Sequence, residues 1–393
     1  MIPSIYQSYI ERQLSDRQSL LLSLLVTVIH SIRDVRLETI AEALPLPILF
    51  ESRRKKVQRF LRLGAMDVNR MWLGLFAVFL EHQPVATGST VYVAIDRTTW
   101  GNINLLMVSL IWRKRAIPLY WQRLKRLGNS NLTTQKKALR VALSALSAYK
   151  VVVLGDREFC GVDLARWLGE QKAYFCLRQK KSTHIQSDDQ DWIALSQLGL
   201  TPGTSCFFNQ ITVTESKGFG PVQLAGKWKR RYDGFAPDEP WFILTNLDSL
   251  DAAISAYQKR FSIEEMFRDL KSGGYCLEKT RVEGKRFLTL VLLVAIAYTC
   301  VTTQGQQLKQ KALQKYIARP ETKGRTHKRH SAFYVGLAAY RWVPFWPRCQ
   351  QQIQALLRLD RNKIDYHLRV LRAIEAVLST LKSLCHPLRT YPP

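Results

Sequence analysis

The chain has 393 residues, of which 47% are apolar, including 10 Trp, 15 Tyr and 16 Phe; this excludes a disordered chain and leaves room for two or three domains with a sizeable core. Lys and Arg number 58 against 31 Asp and Glu, giving a net charge of +27 and a pI near 10.0, the electrostatic footprint of a polyanion binder, with nucleic acid the first partner to consider. Seven cysteines are scattered without a C-x-x-C pair or a secretory signal, so reduced thiols in a cytoplasmic protein are expected.

The first 85 or so residues read as helical. An apolar stretch, Leu20 to Ile32, is followed by Val35 to Leu44, a break at Pro45-Leu46-Pro47, and a basic helix from Glu51 to Leu63 carrying Arg53, Arg54, Lys55 and Lys56. Two short helices, a tight connection and a basic helix resemble a helix-turn-helix layout, which makes those four cations candidate DNA contacts. A plain packing or dimerisation module has the same pattern.

From Ser89 the period changes. Val91 to Ile95, Leu105 to Trp112 and Ile117 to Trp121 are short apolar, β-branched or aromatic runs, with Gly101-Asn102 as a turn between the first two. A helix is predicted over Thr133 to Ala148, then a buried strand at Val151 to Leu154, a helix over Val162 to Leu168 and a strand at Tyr174 to Leu177. The order β-β-β-α-β-α-β is that of the ribonuclease H-like fold. The basic residues Arg113, Lys114, Arg115, Arg123, Lys125 and Arg126, with Tyr120 and Trp121 interleaved, are expected to track phosphates, a solvated face being the alternative.

Residues 181–240 are polar and turn-rich with short strand-like pieces, a β-rich insertion that closes on Trp241 to Leu244. Phe287 to Val301 is the most hydrophobic run, but its roughly 15 residues fall short of the about 20 a membrane span needs; a buried core helix and no membrane partner are expected. Lys309 to Arg329 is a basic linker, and amphipathic helices follow from Gln351 to Leu384. The division is therefore 1–85, a helical DNA-binding domain; 86–305, an α/β catalytic domain holding the 181–240 insertion; and 306–393, the linker and a helical C-terminal region.

Three places carry chemistry. Asp96 ends the first strand and Asp156 follows the fourth, and in a ribonuclease H-like sheet these strands are neighbours at the carboxyl edge where ligands gather. Two adjacent carboxylates repel and raise each other's pKa, which a bridging divalent cation relieves. The third is the set Tyr257, Arg260, Glu264 and Lys271, at gaps of 3, 4 and 7. On one helix, at about 100° per residue, all four fall within roughly a 60° arc, beside an apolar stripe of Ile263, Met266, Phe267 and Leu270. With Glu264 added, the oxygen-only donor set favours two Mg²⁺ ions, Mn²⁺ being a substitute.

Asp96-Arg97-Thr98-Thr99-Trp100, Gly155-Asp156-Arg157-Glu158-Phe159 and the Y-R-E-K spacing of Tyr257, Arg260, Glu264 and Lys271 together resemble the DDE transposases of the insertion-sequence-four family over about residues 85–300. The resemblance implies a bacterial, nucleoid-associated enzyme for cut-and-paste transposition, with Asp96, Asp156 and Glu264 as metal ligands. Tyr257, Arg260 and Lys271 would hold phosphates, and Trp241 or Trp228 would stack on a base flipped from the duplex end. The implied partners are double-stranded DNA, as terminal inverted repeats and target, and a second copy of the chain in a paired-end complex. The rivals are a nuclease of the same fold without strand transfer and a catalytically inactive DNA-binding derivative.

Overall fold

The computed structural model describes residues 2–187, 191–230, 238–320, 329–359 and 364–382. Part of the expected basic linker, 321–328, and Arg231 beside Trp228 lie outside them. Two compact units form, one from Met1–His82 with Arg268–Pro393, the other from Gln83–Phe267.

The first unit opens with α1 (Gln7–Gln13), α2 (Asp16–Ile32), α3 (Leu37–Ala43), α4 (Phe50–Phe60) and α5 (Leu73–Glu81). Gln18 starts α2 by accepting a hydrogen bond from the Ser15 backbone N–H, satisfying one of the donors a helix start leaves open. α4 buries Val57 and Phe60 and leaves Lys55 and Lys56 exposed, with Arg53 and Arg54 half-buried. Arg54 makes only a loose 3.9 Å pair with Glu51.

In the second unit, β1 (Thr90–Trp100), β2 (Ile103–Trp112) and β3 (Arg115–Arg123) form an antiparallel meander. α6 (Leu132–Ala145), capped by the Asn131 side chain, crosses to β4 (Lys150–Gly155), and α7 (Val162–Glu170) crosses to β5 (Tyr174–Arg178). β4 pairs in parallel with both β1 and β5. The strands β6 (His184–Ser187), β7 (Ile193–Ala194), β8 (Ser205–Val213), β9 (Phe219–Lys227) and β10 (Trp241–Thr245) continue the same sheet in the order β3-β2-β1-β4-β5-β10-β9-β8-β6-β7. The residues expected as a β-rich insertion thus hydrogen-bond onto the edge that β5 would otherwise expose, with β10 as the joining strand.

α8 (Leu250–Gln258) and α9 (Phe261–Leu270) complete this unit's helices. They correct the expectation of one continuous helix from Tyr257 to Lys271. Between them Arg260 N–H bonds to Tyr257 O, Ser262 N–H to Lys259 O and Ile263 N–H to Arg260 O, the tighter i→i+3 pattern of a 3₁₀ turn. α9 then ends at Leu270, where the Gly273 N–H turns back to Arg268 O and a Cβ on Gly274 would lie 2.0 Å from Asp269 O. The apolar stripe is nonetheless buried as expected, Ile263, Met266, Phe267 and Leu270 all lying in the core.

The remainder of the first unit is α10 (Gly284–Gln310), α11 (Gln314–Ile317), α12 (Ala332–Tyr340), α13 (Trp342–Leu359) and α14 (Ile364–Lys382). α10 is long and apolar enough to cross a membrane by length and composition, but 89% of its most apolar window is buried inside the protein. It is a core helix, longer than its apolar run because polar turns extend both ends. α12 crosses it at Gly305 and Gly336, where the backbones touch: a Cβ on Gly305 would meet Ala332 O at 1.8 Å.

Candidate functional site

Parallel pairing of β1 with β4 aligns Ile95 with Gly155, so Asp96 and Asp156, each the next residue, lie side by side. Only Asp156 leaves its strand there, because β1 stays paired with β2 through Asp96–Met107 and on to Trp100, which corrects the expectation that Asp96 ends the first strand. This is the place where the chain order reverses, with β2 and β3 to one side of β1 and β4 and β5 to the other, the edge at which open α/β sheets gather ligands. Gly155 is required there, since a Cβ would lie 2.8 Å from the Phe159 Cβ. Asp156 caps the short 3₁₀ turn Arg157–Phe159 by accepting from the Glu158 N–H at 2.9 Å, and Asp96 accepts from the Arg97 N–H at 2.7 Å.

The 3₁₀ turn between α8 and α9 delivers Arg260 onto this edge. Its guanidinium donates to Asp96 Oδ2 at 3.1 Å and also to Glu264 Oε1. Arg260 and Asp96 are nearly buried, with 7% and 13% of their side chains exposed, whereas Glu264 is about half exposed at 49%. Arg260 thus pairs with two carboxylates, and the charge of a third, Asp156, bears on Asp96. Burial pushes the Asp96 carboxyl up to about 7; Arg260 opposes the shift, and the charges of Asp156 and Glu264 add to it. Burial works against the Arg260 guanidinium, but Tyr257, Asp96 and Glu264 outweigh it and its pKa is raised.

Tyr257 is 1% exposed and its phenol is pushed up by burial, with Arg260 and Arg178 pulling the other way. Its Oη and the Arg260 Nε are both buried without a hydrogen-bond partner among the described residues. Both are donors within a cluster otherwise made of carboxylates. They are the donors a phosphate oxygen would take up.

The structure thus brings together Asp96, Asp156, Tyr257, Arg260 and Glu264. Lys271 lies in the turn after α9 and belongs to the other compact unit; it is half-buried, and burial lowers its pKa against the pull of Glu278. Trp241 sets its ring 5.2 Å from Tyr257 and 5.8 Å from Phe261, with the Lys229 ammonium 4.4 Å over it. Trp228 instead lines a cavity of about 190 Å³ with Arg178, Gln179 and Phe242. As the side chains stand, no three His, Cys, Asp or Glu among the described residues are gathered to hold a metal, Arg260 bridging Asp96 to Glu264 instead.

A polar network that the sequence pattern does not reveal lies next to the two aspartates. Arg97 Nε donates to Glu158 Oε2 at 2.8 Å, Ser130 N–H and Oγ–H donate to Glu158 Oε1 at 2.9 and 2.8 Å, and Arg97 also reaches Asn104. On the other flank Glu239 receives Arg157 at 2.6 Å and Arg178 at 2.8 Å. The only available signal was that Arg97 and Glu158 sit beside Asp96 and Asp156 in the chain.

The family described as the transposase DDE domain matches residues 103–300, half of the chain. The chain belongs to the transposase DDE-domain family. The matched span of this DDE-domain protein contains Asp156, Tyr257, Arg260, Glu264 and Lys271 and begins seven residues after Asp96. Among solved structures, piggyBac transposase in a synaptic complex with hairpin DNA is similar at 13% identity and a TM-score of 0.45, over 96% of this chain and 81% of that one. No curated protein matches in sequence.

Proposed function

We propose that this DDE-domain transposase is an insertion-sequence enzyme of the insertion-sequence-four type, acting on DNA in the bacterial cytoplasm. It hydrolyses the phosphodiester at each terminal inverted repeat and joins the freed 3′-hydroxyl to target DNA. The observation that carries this is the meeting, at one sheet edge, of Asp96 and Asp156 from adjacent parallel strands with Arg260 and Glu264 from the α8–α9 turn. The strand order β3-β2-β1-β4-β5 with parallel β1-β4-β5 supports a ribonuclease H-like core.

Asp96, Asp156 and Glu264 would hold two Mg²⁺ ions, with Mn²⁺ as a substitute. The residues fit: all donors are carboxylate oxygens, their charge exceeds that of Arg260, and the half-exposed Glu264 can turn from its arginine. When bound, the ions supply neutralisation of the phosphate and acidification of the attacking water or hydroxyl. The chain's own groups do the rest. Arg260 offers its fork, including the unused Nε, and Tyr257 its phenol O–H, to non-bridging phosphate oxygens. The burial of Arg260 and Tyr257 keeps water from competing for those bonds. Tyr257 is a phosphate ligand, and no covalent protein–DNA intermediate is formed.

Lys271 is a further phosphate ligand in this account. Trp228, which lines the cavity with Arg178 and Phe242, and Trp241, which packs on Tyr257 and Phe261 with Lys229 over its ring, are the two candidates to stack on a flipped base. The basic helix α4, with Arg53, Arg54, Lys55 and Lys56, binds the repeat, and two copies of the chain pair the ends. The test is incubation of the purified protein with labelled duplexes ending in its own element's repeat, in Mg²⁺ or Ca²⁺, beside Glu264→Gln. Mg²⁺-dependent cleavage and joining by the wild type alone supports the proposal. Cleavage without joining would leave a nuclease, and binding without cleavage an inactive derivative.

A further inference from the structure

The basic residues between Arg113 and Arg126 do not form one surface. Arg113 and Lys114 occupy the β2–β3 turn with left-handed φ values of 46° and 69°, and Arg115 pairs with Glu265 at 3.6 Å. The register places the other three toward the opposite end of the strands: Thr98 faces Leu105, which faces Arg123, so Arg123 ends β3 level with Thr98, two residues beyond Asp96 along β1. Arg123, Lys125, Arg126 and Lys137 line an open cavity of about 580 Å³ together with Asn129 and Ser130. No carboxylate lines it, and none of the four cations has an ion pair among the described residues.

The loop that lines the cavity is anchored by buried polar groups. Asn104, fully buried in β2, donates its amide to Arg126 O at 2.6 Å and to Gly128 O at 2.9 Å. Arg97 donates to Asn104 Oδ1 at 3.2 Å and to Asn129 Oδ1 at 3.5 Å, and the buried Gln135 side chain donates to Ser130 O at 3.0 Å. Glu158 closes the network by accepting from both Arg97 and Ser130. A loop that merely connects β3 to α6 does not require a fully buried asparagine to hold two of its carbonyls. Here the network holds the 126–130 loop that carries Arg126 and lines the same open space as Arg123, Lys125 and Lys137, and its anchors, Arg97 and Glu158, are one and two residues from the site aspartates.

We propose that this cradle binds backbone phosphates of the DNA strand that passes over Asp96, and that Arg97, Asn104 and Glu158 are positioning residues that hold it in register with the cleavage site. β1 and β3 are two strand spacings apart, about 10 Å, so the strand reaches the cradle within a few nucleotides of the scissile phosphate. The inference rests on the DNA substrate proposed above.

The test uses the full chain in Ca²⁺ and a terminal-repeat duplex in which single phosphates near the cut are replaced, one at a time, by neutral methylphosphonates. Wild-type affinity is expected to fall about fivefold or more at one or two neighbouring positions. The triple variant Arg123→Ala/Lys125→Ala/Lys137→Ala binds more weakly, with a salt slope lower by about two to three, and is indifferent to neutralisation at those positions. Asn104→Ala keeps every cation and is expected to blunt sensitivity at the same positions alone. A triple variant that keeps every wild-type sensitivity overturns the cradle, and an Asn104→Ala protein with the wild-type pattern overturns the positioning role. Failure of the wild type to bind the duplex at all would instead overturn the DNA substrate itself.

Discussion

Replacing Arg260 with alanine removes the only guanidinium shown to bond both Asp96 and Glu264. Asp96 is then left with 13% of its side chain exposed, facing the charges of Asp156 and Glu264 without compensation. Removing one partner of a buried pair costs about 3 to 5 kcal/mol, and the half-exposed Glu264 adds little. The loss depends on pH in a defined sense. Asp96 has a folded pKa raised from 3.8 to about 7, so the folded state binds the extra proton, and stability declines as pH rises through that window. Without Arg260 the folded pKa climbs further and the decline continues above 7. In metal-free urea unfolding followed by Trp fluorescence, Arg260→Ala is therefore expected to lose about 3 to 5 kcal/mol at pH 8.5 and far less at pH 5, where Asp96 is neutral in both proteins. An equal loss at both pH values, or a loss under about 1 kcal/mol at pH 8.5, would show that Arg260 does not compensate the Asp96 charge.

Two other expectations follow from packing and burial. Gly305→Ala forces a Cβ to 1.8 Å from Ala332 O, and Gly336→Ala forces one to 2.1 Å from Val301 O, so each should lower stability by about 1 to 3 kcal/mol or more, read as a fall in melting temperature; an unchanged melting temperature would contradict the α10–α12 contact. Iodoacetamide at pH 8 should modify the exposed Cys349 in the native protein and spare Cys300 and Cys176, both buried, the latter's thiol pushed up to about 12 by burial. Peptide mass mapping before and after denaturation reads the difference, and native labelling of Cys176 would count against the sheet.

The strands, and Asp156 at the end of one, were legible because β-branched runs such as Val151-Val152-Val153 read as buried strands whatever surrounds them; that β1 continues past Asp96 to Trp100 was not, since it depends on pairing with β2. The α9 stripe was legible for the same kind of reason, since a period of 3.6 survives any tertiary context. The break at Lys259-Arg260 was not, because three i→i+3 bonds carry no composition signal and neither Gly nor Pro marks the place. The union of β6–β10 with the main sheet was equally hidden, since it depends on pairing partners distant in the chain. The same holds for Arg97 with Glu158, 61 residues apart, and for Asn104 under the 126–128 loop. The basic cluster shows the consequence most clearly: adjacent in sequence, its members separate to opposite ends of β3.

On the proposed function, Asp96, Asp156 and Glu264 form one divalent-ion site on a DNA-cleaving surface. Mn²⁺ uptake, followed by electron paramagnetic resonance on the protein with a terminal-repeat duplex, tests it most directly. Bound Mn²⁺ is expected in the wild type, displaced by Mg²⁺, and its loss is expected in each of Asp96→Asn, Asp156→Asn and Glu264→Gln with duplex still bound. Mn²⁺ uptake that none of the three substitutions changes would contradict it.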